Sequence, residues 1–453
     1  MAISNYYCDF ATGNDYIGAT FTDGAFTNAD MTLTKAGAFA AASPDHWLYL
    51  ADNGSGEVTA GYYKIASVTS DNAVVLATDP RSGVNDPTDV VCTQHDGTAP
   101  LPFRSVQGAL DLVTRDAVNG DQINIKAGTS QTLAATLAID EYGTPAEAAP
   151  LVISGYTAVA DDGGQGVIDG DNTYAIISWA AIDWVLLKDM RFTNTAANAI
   201  VRGHDHWTVL DCEFDTTTEA WLAIQDASIV LHCYFHDSTK FSPITLAGML
   251  LYCVISSNHQ AEAVNFNLYG QPAVAIGNAI YCTHNDGSGL HFYNGSPAIA
   301  IGNMLYKNAA APSASRYGIR FANAVQLGLA INNIVVGWSG SGNYGIGSEV
   351  TNVLTAGHNA FYNNTADETW ARLIIDLGGD VSLAAVPWTD AANGDWSLTT
   401  AAKSALGELG YPLEMAGNST DLELTIGAIQ QAVAAGGGGG FPKIASLLGR
   451  TRM

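Results

Sequence analysis

Basic residues are scarce in this chain. Lys and Arg together number 18 against 44 acidic residues, a formal net charge of −26. That balance argues against nucleic acid or an anionic membrane as partner, because both are bound through positive surface. Charge of either sign is thin at 14% of residues, while glycine is plentiful at 47. The mix suits a soluble, turn-rich β protein facing an outside medium. No segment approaches the 18 or more apolar residues of a membrane span, so no insertion is expected. The opening MAISNYYCDF has neither a basic start nor an apolar run, so no signal peptide is expected.

What is present is a repeat. Between Met190 and Asn359 one short pattern recurs eight times: LLKDMRF, VLDCEF, VLHCYF, LLYCVI, AIGNAI, AIGNML, AINNIV and TAGHNAF. Aligned, the copies give a column of Met190, Cys212, Cys233, Cys253, Asn278, Asn303, Asn333 and Asn359, in steps of 20 to 30 residues. Such a period signals a solenoid or an array. Two positions after the column sit Phe192, Phe214, Phe235, Ile255, Ile280, Leu305, Val335 and Phe361. Two positions before it, from the second copy on, sit Leu210, Leu231, Leu251, Ile276, Ile301, Ile331 and Gly357. Alternation of period two marks a strand with one buried face, so all three columns are expected to point inward. A second strand column follows: Leu222, Ile244, Val264, Leu290, Ile319 and Ile346, with Ile224, Leu246, Phe266, Phe292 and Phe321 two residues on. Several short strands per rung of this length, stacked like on like, bury a continuous core. The expected fold is all-β: a parallel β-helix.

The inward column carries its own chemistry. Asn enters left-handed backbone conformations more readily than other non-glycine residues, and its amide can bond both up and down a stack. Cys212, Cys233 and Cys253 fit the same slot as small hydrophobes. Neighbouring rungs bring them within reach of a disulfide, but in-register stacking favours free thiols. No His shares the column, so no metal is expected there.

Along the chain, residues 1–27 form an N-terminal segment and 28–98 a small inserted β domain. The latter holds strands over Trp47–Leu50, Tyr62–Val68 and Ala73–Ala77 between Gly, Asn and Asp turns. Next, PFRSVQGALDLV places Val106, Ala109, Leu110 and Val113 on one helical face with Ser105 as N-cap. Asn119-Gly120-Asp121 then turns into the strand QINIKAG. The β-helix with its cap is expected over 99–363, a C-terminal capping segment over 364–431, and a Gly-rich tether with a basic, apolar tail over 432–453. The glycines Gly436 to Gly440 form a flexible leash. The tail's Phe441, Lys443, Leu447, Leu448, Arg450 and Arg452 form a candidate docking peptide, against the alternative of a frayed terminus.

YYCDFATGND, PFRSVQGALDLV and DQINIKAG resemble the start of right-handed parallel β-helix proteins of the pectate-lyase-like superfamily. GDWSLTTAAKSALGELG and DLELTIGAIQ resemble the closing segment of many such proteins. The resemblance covers nearly the whole chain and implies a right-handed, single-stranded parallel β-helix with a short helix capping the open end of the solenoid. The insert at 28–98 departs from the usual spacing. The superfamily is functionally broad, and its members are mostly exported glycan-active enzymes or virus surface proteins.

Outward positions change along the repeat. Early rungs show Asp189, Arg191 and Thr193, then Asp211, Glu213 and Asp215, then His232, Tyr234 and His236. Glu213 and Asp215 are expected about 7 Å apart at the backbone, which suits the roughly 6.5–9.5 Å carboxyl spacing of inverting glycoside hydrolysis. His236, one rung on, is placed to tune Asp215, and His204-Asp205-His206 lies in a nearby turn. These three candidate catalytic residues stand against a plainer reading as cross-rung charge pairs on a solvated face. The acidic calcium cluster with a nearby basic residue that the resemblance to pectate lyases implies is not found. Nor is the Asn-Thr-Asp, Asp-Asp, Gly-His-Gly and Arg-x-Lys series of the polygalacturonases; the chain has Gly203-His204-Asp205 instead. Asp161-Asp162 and Asp169-Gly170-Asp171 suit Ca²⁺ or, more ordinarily, turns, so no cofactor or metal is expected.

Later rungs turn apolar and aromatic, and this face requires burial. Intrachain cover by 364–430 is the first expectation, a sister chain the second, and sugar stacking on Tyr281, Tyr306 and Tyr362 the third. Together these features lead to a leading expectation of a non-enzymatic bacteriophage virion surface protein. It would be a tailspike-like fibre or capsid decoration protein, trimeric, attached through its N-terminal region or C-terminal tail, and touching host glycan. A polysaccharide depolymerase, hydrolase or lyase, and a carbohydrate-binding adhesin are the alternatives.

Overall fold

The computed structural model describes residues 3–406 apart from a set of loops, the longest being 12–20, 94–101 and 309–315. Its main body is a parallel β-helix with three strands in each complete rung. The rung Ala298–Ile301, Met304–Lys307 and Tyr317–Phe321 is representative. Each strand pairs in parallel with its counterpart on the next rung, giving three ladders. The first ladder runs from Ser4–Cys8, which pairs with Asp121–Lys126, to Ile374–Asp376, and the second from Ser130–Thr132 to Val381–Ser382. The third runs from Ala199–Arg202 to Ala366–Trp370. Among the described residues the solenoid thus continues one rung past the expected end at 363.

The predicted registers hold except at the start of the second strand column, where Ile224 rather than Leu222 lies opposite Ile244 and Ala227 rather than Ile224 opposite Leu246. Phe192, Phe214, Phe235, Ile255, Ile280, Leu305, Val335 and Phe361 are partners in turn along the second ladder. Ile244, Val264, Leu290, Ile319 and Ile346 do the same on the third. All are buried in one cluster. Within it Phe214 stacks on Phe235 at 4.7 Å, and Phe266 on Phe292 at 4.8 Å.

One inward column is corrected at five of its seven positions, Ile331 and Gly357 being buried as expected. Leu210, Leu231, Leu251, Ile276 and Ile301 are only half-buried, while their neighbours Val209, Val230, Leu250, Ala275 and Ala300 fill the core. The reason is a corner. Asp211, His232, Tyr252, Gly277, Gly302, Asn332 and His358 each hold φ between 52° and 70°. A left-handed residue breaks the period-two alternation, so the residue two before the ladder column faces out and the one three before it faces in. The left-handed position also belongs to the residue before each ladder Asn, not to the Asn itself. Glycine at Gly277 and Gly302 takes this conformation at little cost.

The ladder amides do something else. Asn278 donates from Nδ2 to Leu250 O at 3.0 Å and to Asn303 Oδ1 at 2.9 Å, and its backbone N–H also reaches Asn303 Oδ1. The pattern repeats from Asn303 to Asn333 and from Asn333 to Asn359. Asp380 closes it by accepting from Asn359 N at 2.7 Å. Burial pushes the Asp380 carboxyl above its ordinary range. At the other end the Cys253 N–H donates to Asn278 Oδ1, and Cys212, Cys233 and Cys253 are buried free thiols.

At the chain start, Ser4–Cys8 pairs in parallel with Asp121–Lys126 and so belongs to the solenoid. The inserted unit is a closed antiparallel barrel that begins at Phe21–Thr27, before the expected boundary at 28, and ends at Val90–Thr93. Phe39, Leu48, Leu50, Ile65 and Val74 lie in its separate core. The helix Val106–Leu112 caps the first open end, with Ser105 Oγ accepting from Gly108 N as predicted. Gly120, at φ 79°, makes the predicted turn where a Cβ would strike Pro150 O. The barrel docks through His46 Nε2, 2.8 Å from Asp111, and through Arg104, whose guanidinium lies 4.7 Å from Trp47 and 4.4 Å from Tyr62.

Candidate functional site

The second ladder points alternate side chains outward, and register alone brings the early ones together. Arg191 pairs with Glu213 and Glu213 with Tyr234, so Glu213, Asp215 and His236 gather on adjacent rungs. His236 Nε2 lies 3.2 Å from Glu213 Oε1, and its Nδ1 lies 3.6 Å from Asp215 Oδ1. Arg191 spans the same two carboxylates, with Nη2 bonded to Asp215 and Nε 3.4 Å from Glu213. Gln165 donates to the other Glu213 oxygen at 3.3 Å, and the Tyr234 ring stacks on His236 at 4.4 Å. Thus all three expected catalytic residues do meet.

Their electrostatics are those of a closed network. The His236 ring beside Glu213, then Arg191, hold its carboxyl below the ordinary range against a burial effect that pushes it up. Asp215 in turn raises the Arg191 guanidinium. A general acid for glycoside cleavage needs the opposite shift, a carboxyl kept protonated near neutrality. One ligand atom from each of the three lies within 4.8 Å of the others. These atoms are close enough to hold a metal ion, but Arg191 already lies across the carboxylates that would bind it.

Other expected positions resolve differently. The aromatic face is covered within the chain, as first expected. A hairpin of Trp388–Asp390 and Asp395–Leu398, followed by the helix Thr400–Leu406, folds onto the second ladder. Trp388, Trp396 and Leu406 form a cluster there with Met304 and Ile334. Tyr281 is buried in it, while Tyr306 and Tyr362 pack against it. Tyr306 meets Tyr281 at 5.5 Å and Trp388 at 5.7 Å. Engaged in this way, the three tyrosines do not form the open stacking platform expected of a sugar site. Asp162 spends both oxygens on the backbone N–H groups of Thr157, Ala158, Val159 and Gly164, and Asp161 pairs with Lys188. Asp169 accepts from Asp171 N and from Asn194. Both acidic motifs are turns built on their own carboxylates. His206 stacks on Trp184 at 4.1 Å; His204 and Asp205 lie outside the described residues, as do Phe441, Lys443, Leu447, Leu448, Arg450 and Arg452 of the tail.

A second polar cluster lies on the third ladder. Asn265, His291 and Arg320 are register partners, and His291 and Arg320 approach Glu262 Oε1 at 3.2 and 3.9 Å. Burial pushes the Glu262 carboxyl up, but His291 and Arg320 outweigh it and leave it below its ordinary value. Each of Asn265, His291 and Arg320 directly follows a core residue of the second strand column. That constant offset is the signal by which the sequence could have shown them.

No protein-family model matches the chain, and a search of curated proteins finds no match.

Proposed function

We propose that the chain is a non-enzymatic virion surface protein of a bacteriophage, a tailspike-like fibre or capsid decoration protein on a pectate-lyase-like β-helix. The observation that carries this reading is the cross-braced cluster at Glu213, Asp215, His236 and Arg191. Where a depolymerase needs an acid poised to give up a proton, this solenoid has both carboxylates bridged by Arg191 and His236. A long stacked β-helix with a covered flank, a small barrel at one end and a strongly acidic composition suits a rigid, soluble projection. The barrel and the C-terminal tail are the attachment candidates, and host-surface glycan or other virion proteins the partners. Mass spectrometry and antibody-gold labelling of purified particles test it. The expected result is the chain in many copies on the particle exterior; particles without it overturn the reading.

The second reading is a polysaccharide depolymerase, favoured by the convergence of the same three side chains. Incubation with host-surface polysaccharide separates the two. New reducing ends or unsaturated sugars, abolished by Glu213→Gln or Asp215→Asn, would replace the structural role with an enzymatic one.

A further inference from the structure

The cross-braced cluster on the second ladder sits at a local irregularity. Phe235 pairs with Ile255 and Ser238 with Ser257, so the strand Tyr234–Ser238 carries one residue more than its neighbour between those pairs. An extra residue of this kind interrupts the backbone ladder. His236 lies within the bulge, and its ring is turned to the rung before, where Glu213 and Asp215 stand. A side-chain contact therefore holds the strand where its ladder bonds do not.

Both ring nitrogens face carboxylate oxygens, Nε2 at 3.2 Å from Glu213 and Nδ1 at 3.6 Å from Asp215. A neutral imidazole has one N–H and one bare lone pair, so either tautomer sets a lone pair against a negative oxygen. Only the imidazolium donates on both sides. The three side chains are mostly buried, so solvent screens these contacts little. Arg191, one rung further back, is held by the same two carboxylates. Gln165 bonds to Glu213, and Tyr234 stacks on the ring from its own strand. The next strand, Val254–Ser257, has no titratable side chain. Two acids thus stand against two cations, and loss of the histidine proton leaves one negative charge in excess.

We propose that His236 is a pH-operated clasp: protonated, it pins the bulged strand to the rung before it, and deprotonated, it releases Asp215 and lets the bulge open. The remaining proton stays on Nε2, where the contact with Glu213 is the shorter. By linkage, an imidazole charged more readily in the folded chain contributes stability that is fully present below the ordinary value of about 6.5 and is lost as pH rises through the higher folded value. Glu213 behaves oppositely, its contribution fading in acid, so the site is tightest between the two. The inference rests on the cluster acting as a brace, as the proposed function takes it, but not on the chain's place in a particle. Ring titration and particle labelling can therefore fail separately.

Nitrogen NMR of the full chain labelled at histidine, titrated from about pH 5 to 9, tests it. The His236 signals are assigned by their loss in His236→Gln. Both ring nitrogens should be protonated at the acid end, with a midpoint about one unit or more above 6.5. Asp215→Asn should bring that midpoint down towards the ordinary value, and Glu213→Gln supplies a second variant should the first fail to fold. Hydrogen exchange at the backbone amides of Tyr234–Ser238, corrected for intrinsic rate, should speed up about tenfold above the midpoint, the equivalent of one pKa unit. In His236→Gln that step should vanish. The inference is overturned by a midpoint at or below about 6.5, by one that neither acid variant lowers, or by amide protection indifferent to the proton.

Discussion

Asn303 shows how one residue type sets the repeat. Its Oδ1 takes two donors from Asn278, and its Nδ2 gives to Ala275 O at 2.9 Å and to Asn333 Oδ1 at 3.0 Å. All of this happens in a fully buried column, where a polar group without a partner costs about 1–3 kcal/mol. Asn303→Ala strands more than one such group, so a loss of about 3 kcal/mol in denaturant unfolding is expected. Asn303→Cys should cost less, because Cys212, Cys233 and Cys253 occupy the same slot and bond nearby carbonyls through sulfur. If the two variants were equally unstable, the amide stack would be irrelevant to the difference between the Cys and Asn rungs. The column was readable in the sequence because identical residues recurred at a fixed offset. The closure at Asp380 was not, because it lies past the last recognisable copy.

The corner is the element that sequence periodicity misjudged. Alternation carried through Asp211, His232 and Tyr252 assigns Leu210, Leu231 and Leu251 to the core, but a single left-handed residue resets the phase. Asp, His and Tyr are not the glycines that advertise such a turn, so the signal was hidden in the early rungs and visible only at Gly277 and Gly302. The outward cluster was legible for the opposite reason: Arg191, Glu213 and Tyr234 are register partners, and no left-handed residue stands between them and Asp215 or His236. What parity could not supply was the cross-bracing by Arg191 and His236, which turns an acid–base candidate into a charge network. That network has a pH signature. Glu213 is depressed in the folded state, so its contribution to stability is present above the ordinary glutamate value of about 4.3 and is lost as pH falls through the lower folded value. Thermal unfolding from pH 7 down to pH 2 should fall less steeply in Glu213→Gln than in the wild type. Parallel curves for the two proteins would remove the network from the account of acid stability.

At the scale of the molecule, the fold class was legible and the junctions were not. Repeats announce themselves by recurrence, whereas Ser4–Cys8 joins its partner strand across an entire inserted barrel, and nothing local marks that pairing. The barrel's fixed placement depends on a few contacts, of which His46 to Asp111 is fully buried on the histidine side. His46→Ala removes a hydrogen bond to an acidic group and should lower stability by about 2 kcal/mol, measured by calorimetry. If instead the solenoid transition were unmoved and only the barrel melted earlier, the two cores would be independent folding units. The same pairing of Ser4–Cys8 with Asp121–Lys126 dictates an order of events during synthesis. Ser4–Cys8 meets its parallel partner strand only after more than a hundred further residues have emerged from the ribosome, which at about 5–20 residues per second takes on the order of ten seconds. Later rungs can add one upon another as they appear, but the first can only be completed in retrospect, after the barrel between its halves has had time to form.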